Sequence, residues 1–545
     1  MDIPKSWIIF SINRAVAENT EKRKPGNRRH NLEEFYMVLT FEDFPKNTRV
    51  QADVAIIGSG CGGAVMAYHL SKAGYDVVIA EEGSYYTPQE YGKMPPPEAL
   101  HKLYRDNGGT LAIGSSKSPG IAIQQGRAVG GSSIINGGVC FRTPPFVIDH
   151  WRNKLGLTAF SHDELNRAFE EVEHHIHVRK MPKDLNNPAI KKLAKAAKKQ
   201  GYEGGQIKRN VKDCDGCCKC VFGCPHQAKQ DVLLTYLKKA QKHGLRIFAN
   251  LKIHKIHKKR DIATGISGTV HHPLSGRKLA HVRIDAKLVI VAASALYTPY
   301  LLAKSGIGKA SRELGKNLTL HPAARVYAIF KDRVEGWKGA FQSYAIDEFR
   351  KEGNHLINVF VPLNMMAATL PGAGIRGYKI LEEFPRLGLF GSMVSDSSRG
   401  RVFGTPWGPI IYYDMNDQDK EKFIRGIKLA GNLWFDAGAQ KLYLPFFHHS
   451  EIKSRDELNK ISVNTVSPKF WEVTSAHPMG TCKIGNDPKT SVLDPYHRVH
   501  QFKNLYVTDS SSVPSSVAVN PQITIMGMAT RAAWYLLENP VWKKI

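Results

Sequence analysis

Short apolar runs ending in glycine alternate with helix-period segments along the first part of the chain. Residues 53–57, Asp-Val-Ala-Ile-Ile, read as a buried strand, 64–72 as a helix stopped by Gly74, and 76–80 as a second strand ending at Glu81-Glu82-Gly83. That order predicts a βαβ unit with a right-handed crossover. Residues 163–175 and 188–200 have helical periodicity. The second puts Ile190, Leu193, Ala194 and Ala197 on one face and Lys191, Lys192, Lys195, Lys198 and Lys199 on the rest, with Gly201 as its stop. Further helices are expected over 231–243, 418–437 and 523–538, and strands over 246–250 and 288–292. Residues 100–125 read as loop, and 325–470 mix strand-like runs with the helix at 418–437.

The 545 residues are 42% hydrophobic, enough for a large core, which excludes a disordered basic tail as the whole protein. Lysine and arginine number 76 against 49 aspartates and glutamates, a formal charge of +27. This excess suits nucleic acid, an anionic membrane, an acidic partner or a basic bias of the proteome alike. It gathers in the run 22–29 and on the helix at 188–200. No nucleic-acid recognition motif accompanies it, so no nucleic-acid partner is expected. The apolar patch at 7–10 is too short for a signal-peptide core, and no apolar run reaches about 18 residues. The expectation is a protein without signal peptide or spanning helix, cytoplasmic or peripheral to the inner membrane.

Chemistry enters at Gly58-x-Gly60-x-x-Gly63, which follows a strand and opens a helix. The first glycine allows a tight turn, the second lets a pyrophosphate approach the backbone, and the third lets helix and strand pack closely. Phosphates then meet the free N–H groups and the dipole at the helix N-terminus. Glu81 stands 21 residues after Gly60, at the end of the second strand, where an acid binds ribose hydroxyls. A second glycine-rich segment runs from Gly126 to Gly138, and within it Asn136 can bond the edge of a flat ring. Near the end stand His477-Pro478-Met479-Gly480, Asn504-Leu505-Tyr506-Val507-Thr508-Asp509 and Val519-Asn520-Pro521-Gln522.

In this order the segments resemble the glucose-methanol-choline (GMC) FAD-dependent oxidoreductases, from about residue 53 to the C-terminus, nearest the long-chain alcohol and cholesterol oxidase-like branch. The resemblance implies an α/β fold, a Rossmann-type FAD-binding domain interrupted by an α+β substrate domain built on an antiparallel sheet. The FAD-binding domain would take 51–150, 205–325 and 471–545, after a basic extension over 1–50, and the substrate domain 151–204 and 326–470. Gly58, Gly60, Gly63 and Glu81 match the ADP-binding positions, and Gly130, Ser132, Asn136 and Gly137 the loop along the flavin. Asp509 matches the acid near the ribityl and pyrophosphate, and Pro521 and Gln522 residues by the flavin ring. No flavin-linking histidine stands near 126–138, so the FAD is expected to be non-covalent.

His477 and Asn520 match the family's catalytic pair. Imidazole suits a base that takes a hydroxyl proton near neutral pH as hydride leaves the alcohol carbon for the flavin. The implied activity is oxidation of an apolar, long-chain or sterol-like alcohol. Electrons would pass to oxygen, or to an acceptor protein or quinone. The basic patches read first as a solvated face, as lysine-rich helix faces commonly are, and next as a peripheral contact with anionic lipid. A lyase on the same fold without net flavin redox, or a polyol or sugar dehydrogenase, are the alternatives.

Cysteine use is uneven: five of the eight cysteines fall between Cys214 and Cys224. Cys214-x2-Cys217-x2-Cys220-x3-Cys224-Pro225 has the spacing of bacterial ferredoxins, with Cys218 extra. Three readings stay open. One is an iron–sulfur centre on Cys214, Cys217, Cys220 and Cys224, with Cys218 as an alternative ligand. The others are a tetrahedral zinc and plain structural thiols. The tail from Cys220 to Lys229 also resembles flavin glucose and gluconate dehydrogenases that relay electrons through an iron–sulfur centre. Such a centre favours a dehydrogenase over an oxidase.

Overall fold

The computed structural model describes residues 38–544, apart from 309–310, 362, 364–365, 367–374 and 449. The basic extension expected over 1–50 lies outside the described residues as far as 37, and the run 22–29 with it.

Continuous apolar runs build the first sheet. Val54–Ile57, Val77–Ala80 and Leu288–Val291 are buried throughout, the mark of parallel strands covered on both faces. The parallel order is Val38–Leu39, Arg246–Phe248, Val77–Ala80, Thr48–Ile57, Lys278–Val291 and Leu505–Val507. The long strand Lys278–Val291 changes partner along its length. Its first part pairs antiparallel with Ile262–His271, which pairs in turn with Leu251–Lys259, and its last three residues take Leu505–Val507. Register brings the strand ends level: Ile57 lies opposite Ala80 and Val291, Ala80 opposite Phe248, and Val291 opposite Val507. Helix Cys61–Lys72 covers this sheet and packs on the C-terminal helix Gln522–Glu538, which also receives His162–His175.

The second sheet runs Thr110–Ala112, Ile121–Ile123, Val473–Ser475, Ala323–Ile329, Leu387–Val394, Asn354–Asn358, Tyr344–Ile346 and Gly204–Gln206. It is antiparallel except where Val473–Ser475 meets Ile121–Ile123. Helix Asp417–Asp436 lies across it and sets Trp434 edge-on to Phe330 and Phe390. Helix Pro188–Lys199 packs on the same layer. Ile190, Leu193 and Ala197 of the predicted stripe are buried and Ala194 is half-buried, with Asn187 accepting from the Ile190 N–H as cap and proline at the first position.

The strand expected at 53–57 begins earlier, at Thr48, because Val282–Ala286 pairs with its first residues. The segment read as loop holds the last turn of helix Pro96–Leu103 and two three-residue strands that exist through pairing with each other and with Val473–Ser475. The helix expected over 231–243 is a π-turn, Leu233–Leu237, followed by Lys238–Gln241. Asp231 caps its start, Oδ1 accepting from the Leu233 and Leu234 N–H groups.

The first βα turn is the tightest place in the molecule. Gly58 has φ +97°, and a Cβ there would lie 2.3 Å from the Ala292 carbonyl oxygen. A Cβ on Gly62 would lie 1.9 Å from the Thr508 carbonyl oxygen, whereas one on Gly60 meets nothing nearer than 4.0 Å. Gly62→Ala should therefore lower the unfolding free energy by more than about 2 kcal/mol, and Gly60→Ala by less than about 1 kcal/mol. Urea titration of both variants checks this; equal losses would show that the backbone contact at Thr508 yields.

Candidate active site

Loops beyond the level strand ends surround a cleft of about 440 Å³, lined by Gly58, Gly60 and Gly62 below and by Gly131 and Ser132 opposite. Such a crevice at the carboxyl ends of parallel strands is where open α/β sheets bind ligands. The two glycine loops are joined by one side chain. Ser59 Oγ donates to Glu81 Oε2 at 2.7 Å and accepts the Gly130 N–H at 3.0 Å. Glu81, expected on ribose hydroxyls, lines the cleft, but its oxygens also accept from the Ser59 N–H at 3.0 Å and the Gly83 N–H at 2.8 Å. Burial raises its carboxyl above the ordinary range against the pull of those bonds.

The neighbouring Glu82, which the sequence reading passed over, carries the charge of this wall. It pairs with Arg105 at 2.9 Å and Lys252 at 3.0 Å. Burial opposes ionisation, but these two cations hold its carboxyl well below the usual range. Arg105 also stacks over Tyr297, 3.9 Å from the ring centre. Arg105 Nε, Gln125 Oε1 and Arg127 Nε are buried polar atoms without a protein partner, on three residues that line the cleft. A ligand rich in phosphate and hydroxyl oxygens satisfies that set, so the residues fit the ADP half of FAD. Asp509 closes the far side. Its carboxylate accepts from the N–H groups of Ser294 and Ser511 and the Thr298 hydroxyl, at 2.8, 2.8 and 2.5 Å.

At the other end of the glycine loop, Asn136 Nδ2 donates to Gln522 Oε1 at 2.5 Å, and Asn136 Oδ1 accepts the Gly138 N–H at 2.9 Å. This contact brings the loop to the start of the C-terminal helix, whose cap residue is Pro521. Gln522 Nε2 is buried with no partner. Asn520 precedes it, and its Nδ2 lies 3.2 Å from His477 Nε2, while Asn520 Oδ1 is buried and unpartnered. The structure thus gathers the expected pair and the expected ring-side residues.

His477 follows strand Val473–Ser475, and its N–H donates to Ser475 Oγ at 3.2 Å. Burial, with a smaller contribution from His355, pushes its imidazole down to about 4. Edge-on to it at 5.4 Å stands His321, fully buried, with Nε2 at 2.8 Å from Ser516 Oγ. Asp396 anchors this segment by accepting the His321 N–H at 3.3 Å and the Leu320 N–H at 2.8 Å, and is itself held by the Tyr413 hydroxyl at 2.6 Å. Sequence reasoning missed His321; its only signal was a histidine before Pro322 at the end of an apolar alternation.

The cysteine segment lies beside the same glycine loop. Arg209, wholly buried, donates from Nε to the Gly137 carbonyl at 2.8 Å and from Nη2 to Cys220 Sγ at 3.0 Å. Lys229 Nζ donates to the carbonyls of Ile134, Asn136 and Cys220 at 2.5, 2.9 and 2.9 Å. All five cysteines are free, and burial pushes the Cys217 thiol up to about 12. Sulfurs around one tetrahedral zinc stand ~3.8 Å apart, given Zn–S bonds of ~2.3 Å. Among the described residues the only such grouping within 4.8 Å is Asp215, Cys217 and His226, so the structure does not draw Cys214, Cys220 and Cys224 together with Cys217 at zinc distances. The four-thiolate zinc set is not assembled.

The chain matches the family models described as GMC oxidoreductase over residues 100–323 and 396–529, and an NAD(P)-binding Rossmann-like domain over 56–86. An uncharacterised GMC-type oxidoreductase of Mycobacterium tuberculosis is 34% identical over 91% of this chain and 77% of its own length. A long-chain-alcohol oxidase of Arabidopsis thaliana is 28% identical over 88% of this chain and 67% of its own. The fold of Aspergillus oryzae formate oxidase superposes with a TM-score of 0.70 at 17% identity, over 91% of this chain and all of that one. The level strand ends, the paired glycine loops and these matches lead to one assignment: the chain belongs to the GMC oxidoreductases, a family of FAD-binding enzymes.

Proposed function

We propose that the protein oxidises the CH–OH group of an apolar alcohol, long-chain or sterol-like, with non-covalent FAD in the cleft and His477 as the base. The observation that carries this reading is the contact of His477 Nε2 with Asn520 Nδ2, beside the unpartnered Asn520 Oδ1 and Gln522 Nε2. The similarity to a long-chain-alcohol oxidase supports the substrate class. On this reading Gly58, Gly60, Gly63, Glu81 and Asp509 hold the ADP and ribityl parts. Gly130, Ser132, Asn136, Gly137, Pro521 and Gln522 hold the ring.

Bound FAD supplies the acceptor for hydride. The residues supply the proton chemistry. His477 Nε2 faces an amide N–H, so it acts as acceptor and the ring proton sits on Nδ1. A substrate hydroxyl entering between the two donates to Nε2 and accepts from Asn520 Nδ2. A base held down to about 4 is weak toward an ordinary alcohol. As the C–H electron pair leaves, however, the hydroxyl becomes that of a protonated carbonyl, a strong acid, and the same imidazole accepts its proton readily. His321 holds the outer edge of the His477 ring and limits its rotation.

A second reading concerns the electrons' exit. Two buried cations, Arg209 and Lys229, bond Cys220 at its sulfur and carbonyl, and neither bonds a carboxylate among the described residues. An anionic iron–sulfur centre on Cys214, Cys217, Cys220 and Cys224 would balance that charge. It would make the enzyme a dehydrogenase that passes electrons to an acceptor protein or quinone.

Three measurements test these readings. Anaerobic mixing with a long-chain alcohol should bleach the flavin's yellow band. His477→Ala should slow this about 10²–10⁴-fold and Asn520→Ala about 10²-fold; an unchanged rate in His477→Ala removes it from the chemistry. The bleaching rate should stay level from about pH 8 to about pH 5 and fall toward pH 4, because protonation of His477 costs the acceptor. A break near pH 6.5 would place the base elsewhere. Assays of iron, zinc and acid-labile sulfide on the purified flavoprotein should find iron and sulfide; metal-free protein with full turnover on oxygen leaves these cysteines as structural thiols.

A further inference from the structure

A two-stranded hairpin, Arg401–Gly404 and Pro409–Tyr412, projects from the layer of the second sheet. Its register sets Phe403 opposite Ile410 and Arg401 opposite Tyr412. Ile113 bridges Tyr412 in parallel, donating its N–H to the Ile411 carbonyl at 3.0 Å. Side chains alternate along a strand, so Leu111, Ile113, Phe403, Ile410 and Tyr412 share one face. Val402 and Ile411 take the other face and are buried, with the hairpin packed on helix Ser294–Lys304. The outer face is bare among the described residues: Leu111, Ile113, Phe403 and Ile410 are 50, 49, 47 and 46% exposed, and Trp407 at the turn is 94% exposed. Four large apolar side chains on one strand face, next to an exposed turn tryptophan that also lines the rim of the cleft, mark an interaction site.

Charge selects the partner. The segments 111–122 and 399–412 carry Lys117, Arg399 and Arg401 and no acidic residue. Asp414, just past the hairpin, is taken up by the Tyr412 hydroxyl and by the Ser115 N–H at 2.6 Å. Two copies stacked on this face would oppose their cationic rims, each on a chain of +27. An anionic lipid surface meets both features, apolar tips in the acyl boundary and a tryptophan among basic residues at the headgroups. We propose that the face made by Leu111, Ile113, Phe403 and Ile410, with Trp407 at the adjoining turn, is the surface by which the protein lies on an anionic bilayer. This contact does not depend on which alcohol is oxidised, so it stands or fails apart from the proposed reaction.

Binding of the FAD-loaded full chain to vesicles tests it. Phosphatidylcholine vesicles with added phosphatidylglycerol should bind the protein, pure phosphatidylcholine should bind it less, and high salt should weaken the binding. The double variant Phe403→Ser/Ile410→Ser should cut the partition coefficient about tenfold or more. The flavin spectrum and thermal unfolding of the variant verify its fold. Lipids brominated near the headgroup give a second reading without those substitutions. They should quench tryptophan emission in the parent, and quench it less in Trp407→Phe. Full binding by the double variant would move the contact elsewhere, such as to the lysines of helix Pro188–Lys199. No vesicle binding at all, or a solution dimer that the double variant separates, would overturn the proposal.

Discussion

Backbone meets backbone at the ends of the parallel strands, and the rest of the site depends on that approach. Gly58 lies against Ala292, Gly62 against Thr508, and Gly131 against Gly60, each too close for a side chain. Because Ile57, Ala80, Val291 and Val507 end level, the four following loops reach one point. Ser59 fastens two of them to Glu81 with its hydroxyl. A carboxylate buried there without a hydrogen-bonding cation is costly unless its oxygens are satisfied, and the Ser59 and Gly83 amides satisfy them. The turn is rigid before any ligand arrives, which lowers the ordering cost of binding one.

The two ends of the site work by opposite electrostatics. At the nucleotide end, Arg105 and Lys252 keep Glu82 ionised, and partnerless Arg105 and Arg127 nitrogens are left for oxygen ligands. At the end proposed to carry the chemistry, burial favours the neutral form of His477 and His321. In the proposed reaction a charged imidazole beside the substrate carbon would oppose the departure of the C–H electron pair, so the neutral form would favour that step as well as accept the proton. Asn136 and Gln522 join the two regions through one hydrogen bond.

Legibility in the sequence followed how local each feature is. The glycine turn was readable because its geometry demands glycines at fixed spacing, and the lysine-flanked helix Pro188–Lys199 because its apolar stripe repeats with the helical period. Thr110–Ala112 and Ile121–Ile123 were not, since three residues become a strand here only beside Val473–Ser475, far along the chain. His477 and Asn520 came from resemblance to a family, and the structure supplied the contact between them. His321 escaped because nothing in its neighbours' identities states that it will stand edge-on to His477. Cysteine spacing showed order along the chain, but sulfur separation is a property of the fold.

Arg209 shows how a segment that looks separate in sequence bears on the flavin loop. One guanidinium holds both the Gly137 carbonyl and the Cys220 sulfur. Its planar fork has fixed geometry, so the two bonds are not independent. The same side chain therefore ties the position of Cys220 to that of a loop carbonyl next to Asn136. Lys229 repeats the link from the other side, joining the Cys220 carbonyl to those of Ile134 and Asn136. Two buried cations cost much to desolvate, but a hydrophobic pair in their place would leave the carbonyls of Ile134, Asn136, Gly137 and Cys220 without donors. Their presence is explained by those acceptors: two side chains with several donors each satisfy backbone that the glycine loop and the cysteine segment bury against each other.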